Sequence, residues 1–328
     1  MCKVMTGAAA VSRRRFLAIS AAFCGAGALG PAAGAARQSL KPVMWRGIAL
    51  GAPANITLYT TDTKTARASL SRAVLELERL EQIFTLYRSD SALARLNLEG
   101  ALINPPFDLV RLLTTCNALS HVTAGAFDPT VQPLWELYAE HFADNPLDRD
   151  GPIADQIQER MKLVDYRRMS VGNKLIAFEV PGMKLTLNGI AQGYITDRIV
   201  DLLRQDGFES FVADLGEPRA VGSHPTGRPW QVSIVSPEDA QNDAQQISVV
   251  DRAVATSAPL GTSFEATGTF HHLLDPRTGR CSRHHRRVSV IGTTSRFADC
   301  LLTSFDVMVE SEILLAARHY PDIRTILG

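Results

Sequence analysis

In the stretch "SRFADCLLTSF", residues 295–305, a carboxylate and a hydroxyl stand four residues apart in an otherwise apolar run. At 3.6 residues per turn, Asp299 and Thr303 leave the same helical face, so two hard oxygens can converge on one point and hold a hard cation. The plainer alternative is a helix capped by Thr294 or Ser295, with Asp299 in its first turns and Thr303 bonding back to a carbonyl. A second concentration of polar atoms, "FHHLLDPRTGRC", brings His271, His272, Asp275, Arg277 and Thr278 close together in sequence. A type I turn capped by Asp275 accounts for Asp275, Pro276 and Gly279 but not for the paired histidines. A histidine with a near-neutral pKa is suited to taking a proton from a hydroxyl nucleophile. Downstream, "GRCSRHHRRV" gathers Arg280, Arg283, Arg286 and Arg287 around His284 and His285. That density of positive charge favours a solvated patch facing an anion or an acidic partner over a transition-metal site. The glycine loop "NGIAQG" is either a phosphate cradle at a helix N-terminus or a tight strand-to-helix turn; it is neither a Walker sequence nor a G-x-G-x-x-G.

The elements that must position these groups follow from hydrophobic period and turn chemistry. "WRGIALGAPANITLYT" reads as a strand pair around a Gly/Pro turn. Leu70, Val74, Leu77, Glu81 and Phe84 trace one helical stripe interrupted only by the glutamate, with Arg72, Glu76 and Arg79 opposite. A second helix runs from about Pro106 to near Gly125. The Asp/Pro/Gly-rich segment "FADNPLDRDGPIADQ" is expected to be a surface linker between lobes. "MSVGNKLIAFEVPGMKLTL" reads as two hairpins, turning at Gly172-Asn173 and Pro181-Gly182. Next come a strand, the glycine loop, a helix with the stripe Ile195, Ile199 and Leu202 that stops at Gly207, and another strand. Strands are expected at "WQVSIVS", "RAVATS" and "RVSVIG", the last leading into the helix that carries Asp299.

The chain has 328 residues, 34 basic against 34 acidic and 45% hydrophobic, which fits a globular protein and argues against a nucleic-acid partner. Its start, "SRRRFLAIS", carries Arg13, Arg14 and Arg15 ahead of an Ala/Gly-rich apolar run too short to span a bilayer. This reads as a twin-arginine export signal over residues 1–35, cleaved after Ala33-Gly34-Ala35. A periplasmic domain over 36–328, with no membrane span, would remain. Bulky Phe23 before Cys24 argues against a lipoprotein. Cleavage removes Cys2 and Cys24 and leaves Cys116, Cys281 and Cys300, an odd set that predicts buried thiols or at most one disulfide and no zinc framework.

Six segments in order resemble the FAD:protein FMN transferases, the ApbE family: "GIALGAPANITLY", "IFTLYRSDSALARLN", "TAGAFDPTVQPLWELY", "LTLNGIAQGYITD", "ATSAPLGTSFEATGTFHHLLDPRTG" and "SRFADCLLTSF". Within it the likeness is to the NosX branch, associated with maturation of the nitrous-oxide reduction system. The resemblance implies an α+β fold, two-lobed, with mostly antiparallel sheets, flanking helices and a site in the cleft between lobes. It implies cleavage of the FAD pyrophosphate, transfer of FMN to a Thr or Ser hydroxyl of an acceptor protein, and release of AMP. The acceptor would be an electron-transfer flavoprotein, possible membrane anchoring included. Mg²⁺ would be held by Asp299, Thr303 and the Gly189 carbonyl, an apt oxygen set for that ion. His272 would serve substrate positioning or proton transfer. The flavin-binding positions would be Leu50, Tyr87, Ala126, Phe127, Asp128, Thr186, Gln192 and Leu273, with Tyr87 and Phe127 suited to packing on a ring. Where many members read Asp-Leu-Gly-Gly-Ile-Ala-Lys-Gly, this chain has Thr186, Asn188 and Gln192, and where many read Leu-Gly-Gly-Asp it has "LGEP" with Glu217. The lost carboxylate and ammonium motivate a rival expectation, an FAD carrier without transfer; a third expectation is FAD hydrolysis to FMN and AMP without an acceptor.

Overall fold

The computed structural model describes residues 40–234 and 245–328. The twin-arginine segment with its cleavage site, Cys2 and Cys24, and the last two residues of the expected strand 230–236, lie outside the described residues. The first described elements are β1 (Lys41–Ala49) and β2 (Ala52–Thr60), paired residue for residue across Leu50-Gly51. Both turn residues have positive φ, 47° and 83°, the primed geometry that matches the twist of antiparallel strands. Leucine is poorly suited to that conformation. Its backbone N–H donates to the carboxylate of Glu81 on α1 (Thr63–Phe84). The glutamate that interrupts the α1 stripe is therefore a clamp on the hairpin turn, while Leu70, Leu77 and Phe84 are buried as expected.

The middle of the chain forms α2 (Ala92–Glu99), β3 (Ala101–Ile103), α3 (Phe107–Val122), α4 (Gln132–Asp144), α5 (Ala154–Met161), β4 (Met169–Val171) and β5 (Leu175–Phe178). β3, β5 and β4 make a small antiparallel sheet. Two expectations are corrected here. Residues 142–156 connect α4 to α5, which pack against each other, so the segment joins two neighbouring helices and does not link lobes. Only the hairpin at Gly172-Asn173 forms; after Pro181-Gly182 residues 183–187 join no strand ladder. Side chains and a loop replace the ladder there: the Leu185 N–H donates to the Asn97 side chain, the Asn97 amide donates back to the Leu185 carbonyl, and the Thr186 N–H donates to the Pro129 carbonyl.

The rest supplies α6 (Ala191–Gln205), β6 (Phe211–Asp214), β7 (Arg219–Val221), β8 (Trp230–Ile234), β9 (Gln245–Val249), β10 (Ala253–Ser257), β11 (Leu274–Asp275), β12 (Arg280–Cys281), β13 (Val288–Gly292), α7 (Ser295–Phe305), α8 (Glu310–Ala317) and β14 (Arg324–Leu327). One seven-stranded sheet runs in the order β1-β2-β6-β7-β10-β13-β14, and the described pairings within it are antiparallel. Strand alternation assigns its faces. Phe211, Ala213, Ala253, Ala255, Val288 and Val290 join the main core under α1, α6 and α7, while Val212, Val254 and Ile291 pack against the β8–β9 hairpin on the other side. A smaller core of Leu134, Tyr138, Phe142 and Leu274 with Phe264 and Phe270 builds the second lobe. The α+β architecture with antiparallel sheets and flanking helices is the one expected. Cys116 and Cys300 are buried free thiols and Cys281 is a half-buried one. Among the described residues no helix is long and apolar enough to cross a membrane.

No residue of α7 is fully exposed, so each polar group on it needs a partner. The expected caps do not form: the Thr294 and Ser295 hydroxyls are buried without a bond. The cap comes from another helix. Asp197 of α6 accepts the Ser295 N–H at 2.8 Å and the Arg296 N–H at 3.2 Å, and pairs with the Arg219 guanidinium of β7 at 2.6 Å. Asp197 and Arg219 are both buried. Removing one partner of such a pair leaves a bare charge inside the protein. Asp197→Ala is expected to cost about 3–5 kcal/mol of folding stability, read as a lowered denaturant midpoint at unchanged m-value.

Candidate active site

A cleft of about 260 Å³ opens between the large sheet and the smaller lobe. Its lining includes Tyr87, Ala126, Phe127, Asp128, Thr186, Gln192, Leu273, His272, Gly189, Asp299 and Thr303, so eleven of the twelve residues singled out in sequence meet in one place. Leu50 is the exception. It sits at the β1–β2 turn, and the neighbours Ala52 and Pro53 reach the cleft in its stead.

The two glycines of "NGIAQG" have steric reasons. A Cβ on Gly189 would stand 2.6 Å from Thr303 Oγ1, and a Cβ on Gly193 would stand 2.5 Å from the Ser295 carbonyl oxygen. Their absence lets the loop and α6 press against α7. The α6 N-terminus does meet an anion, but one belonging to the protein: the Gly193 N–H donates to Asp299 Oδ2 at 3.1 Å. Thr303 Oγ1 donates back to the Asp299 carbonyl at 3.2 Å, as the plainer alternative expected, and also lies 3.5 Å from the Gly189 carbonyl. Three hard oxygens from two segments thus share one corner of the cleft.

The electrostatics of that corner ask for positive charge. Burial pushes the Asp299 carboxyl up to about 7, with Asp197 adding to the rise and the Gly193 amide opposing it. Burial likewise raises Asp214 to about 6, and it raises Glu217 well above the carboxylate range, with Asp299 and Asp214 adding repulsion. No ion pair among the described residues neutralises Asp214, Glu217 or Asp299. A single hard cation would lower all three. The donor set therefore fits Mg²⁺, which takes few protein oxygens and keeps sites for water and phosphate. Among the described residues no group of three or more His, Cys, Asp or Glu side chains is arranged to hold a metal ion, so any cation site here depends on the hydroxyl and the carbonyl as well.

The paired histidines differ in role. His271 is buried, with Nε2 on the Ser282 carbonyl at 2.9 Å and Nδ1 accepting the Leu273 N–H, so both its nitrogens hold the loop. His272 is half-buried beside the cleft and its Nδ1 lies 2.9 Å from the Thr262 carbonyl. A carbonyl only accepts, so the proton is on Nδ1 and the basic lone pair on Nε2. Burial pushes His272 down to about 4. The second histidine pair does not join it, since His285 Nε2 lies on the Met308 carbonyl. The turn behaves as expected: Asp275 accepts the Arg277 N–H at 2.9 Å and Gly279 has φ +71°. Arg277 then ties this turn to Glu312 and to the Val307 carbonyl at the end of α7.

Among the ring-facing positions, Phe127 and Leu273 are buried walls and Tyr87 stands exposed at the mouth. The Asp128 carboxylate is engaged internally, accepting from the Thr130 N–H, the Thr130 hydroxyl and the Tyr166 N–H. Three carboxyls of the lining escaped selection from sequence as site residues: Asp214, Glu217 and Asp306. Asp306 carried a usable signal, standing seven residues after Asp299 and so on the same face of α7. Burial pushes it up to about 8. Its Oδ2, the Ser257 hydroxyl and the Thr262 hydroxyl are buried without a hydrogen bond; a group so left costs roughly 1–3 kcal/mol.

The sequence model of the ApbE family matches residues 50–327. The chain belongs to the ApbE family. Among ApbE relatives, the FAD:protein FMN transferase of Haemophilus influenzae is 27% identical over 298 residues, 86% of this chain and 85% of its own length. That of Vibrio cholerae is 29% identical over 264 residues, 78% of this chain and 77% of its own. The crystal structure of the Pseudomonas stutzeri flavinyl transferase ApbE in its apo form superposes with a TM-score of 0.76 at 26% identity, covering 89% of this chain and 92% of that one. The ApbE protein of Thermotoga maritima gives 0.74 at 25% identity, covering 88% and 94%. At the two positions where this ApbE chain departs in charge, neutral groups pack locally. Thr186 Oγ1 accepts the Asn188 N–H at 3.3 Å, and the Gln192 amide lies against Gly216, where a Cβ would come within 2.7 Å of it.

The state of His272 is directly measurable. In ¹⁵N-resolved imidazole spectra it is expected to stay in the neutral Nδ1–H form down to about pH 5, with a midpoint near 4. A midpoint at or above about 6.5, the free-histidine value, would contradict the burial described.

Proposed function

We propose that the chain is a Mg²⁺-dependent FAD:protein FMN transferase, exported to the periplasm by its twin-arginine signal. The observation that carries this reading is the meeting of Asp299, Thr303 and the Gly189 carbonyl with a neutral His272 in one cleft that also holds Phe127 and Tyr87. Family membership and relatives named for that activity supply the reaction class.

In this reading the acceptor hydroxyl oxygen forms a bond to the FMN phosphorus, the bridging P–O bond breaks, and AMP leaves. Asp299, Thr303 and the Gly189 carbonyl would hold the ion, and its chemistry is to neutralise charge on the pyrophosphate oxygens. His272 Nε2 takes the proton from the hydroxyl. A pyrophosphate beside the imidazole favours its charged form and raises its pKa from about 4 towards the working range. The buried walls Ala126, Phe127 and Leu273 exclude water, which otherwise competes as nucleophile and turns transfer into hydrolysis. We further propose, on the NosX likeness, that the acceptor is an electron-transfer flavoprotein of the nitrous-oxide reduction system.

Incubating the mature protein with FAD, Mg²⁺ and candidate acceptor domains is expected to give equimolar AMP and a covalently fluorescent acceptor. Tight FAD binding without AMP identifies a carrier instead, and free FMN with AMP a pyrophosphatase. Asp299→Ala is expected to lower AMP release by at least about 100-fold and His272→Ala by about 10²–10⁴-fold, each measured at saturating FAD. Unchanged rates in Asp299→Ala would sink the metal-centred version.

A further inference from the structure

Besides the hard-oxygen corner, three buried polar atoms lack a hydrogen-bond partner and belong to residues lining the same cleft: Asp306 Oδ2, Ser257 Oγ and Thr262 Oγ1. Asp306 is 3% exposed and Thr262 6%. Their backbones are already committed. The Asp306 carbonyl accepts from the Ser282 hydroxyl, and the Thr262 carbonyl accepts from His272. Asp306 and Thr262 are therefore held in the cleft lining by their backbones while the side-chain atoms of all three residues stay unmatched. The Ser257 hydroxyl is near enough to favour the ionised form of Asp306, yet it closes no bond to it.

Their position relative to the corner narrows the ligand chemistry. Asp299, Thr303 and Asp306 are spaced i, i+4 and i+7 on α7, and at about 1.5 Å of rise per residue Asp306 stands roughly 4.5 Å beyond Thr303 along the axis. In a dinucleotide whose pyrophosphate meets Asp299 and Thr303, the group reached first after a phosphate is its hydroxyl-bearing sugar chain; the ring systems lie further out. A carboxyl flanked by two hydroxyls matches neighbouring O–H groups, each of which both donates and accepts.

We propose that Asp306, Ser257 and Thr262 form a subsite for the polyol attached to a substrate phosphate, either the ribityl chain of the flavin half or the ribose of the adenylate half. The inference rests on the reading of the cleft as a flavin-dinucleotide site, and it assigns Asp306 a specificity role that the motif residues do not supply.

The test reads binding, not transfer. With the mature protein and Mg²⁺, dissociation constants are measured for FMN against its 5′-phosphopentyl analogue, which keeps ring and phosphate but lacks the chain hydroxyls, and for AMP against 2′,3′-dideoxy-AMP. Asp306→Leu is expected to weaken FMN or AMP about tenfold, the loss of one well-placed hydrogen-bonding set, and to leave its hydroxyl-free counterpart unchanged. The half that loses affinity names the polyol seated there. The double variant S257A/T262V, which keeps the carboxyl, repeats the pattern at smaller size and guards against a folding defect in Asp306→Leu. Native affinities for both FMN and AMP in both variants overturn the subsite. So do equal losses with and without hydroxyls, or a native chain that binds neither FMN nor AMP. A chain that binds these ligands but transfers no FMN refutes the transferase reading while leaving the subsite standing.

Discussion

The close crossing of α6 and α7 is the constraint on which the site depends. It exists because Gly193 has no side chain to strike the Ser295 carbonyl, and because Asp197 supplies the cap that α7 does not carry itself. The crossing turns the Gly193 N–H onto Asp299 and brings the Gly189 carbonyl to Thr303. A helix with no fully exposed residue can then hold a carboxylate at a cleft wall, with one oxygen satisfied by a backbone amide and the hydroxyl one turn later held by a carbonyl. Arg219 anchors the capping carboxylate of Asp197 from the sheet side, so β7, α6 and α7 share a single electrostatic joint.

The charge balance of the cleft follows from burial. Carboxyls at Asp299, Glu217 and Asp214 are pushed upward, whereas the imidazole of His272 in the same lining is pushed downward. Both displacements have the same physical origin, the cost of charge in a site of low polarity. A ligand bringing a cation and a polyanion together relieves both at once.

The smaller lobe contributes shape and closure. Tyr138 stacks on Phe264 and Phe142 lies 5.0 Å from Phe270, which braces the loop carrying the histidines from below. Arg277 bonds the following turn to α8 and to the end of α7. The turn that follows the histidines is thereby tied to the end of the helix that bears Asp299.

The sequence alone determined most of the local structure and the identity of the chemical groups. The β1–β2 hairpin, α1, the stop at Gly207 and the Asp275 turn depend on period and turn chemistry within a few residues. The helical spacing of Asp299 and Thr303 carried their shared face. Tertiary structure decided the rest, because it depends on contacts between distant segments. Nothing near Thr294 signals that its helix is capped by Asp197, and nothing near Glu81 signals its bond to Leu50. The run 183–187 reads like a strand in sequence, yet its backbone bonds to Asn97 and Pro129 in place of a ladder. Which carboxyls become buried without partners is likewise a property of the closed cleft, so Asp214, Glu217 and Asp306 acquired their meaning only there. Local sequence sets which atoms a residue offers; packing sets whether water or another part of the chain is left to answer them.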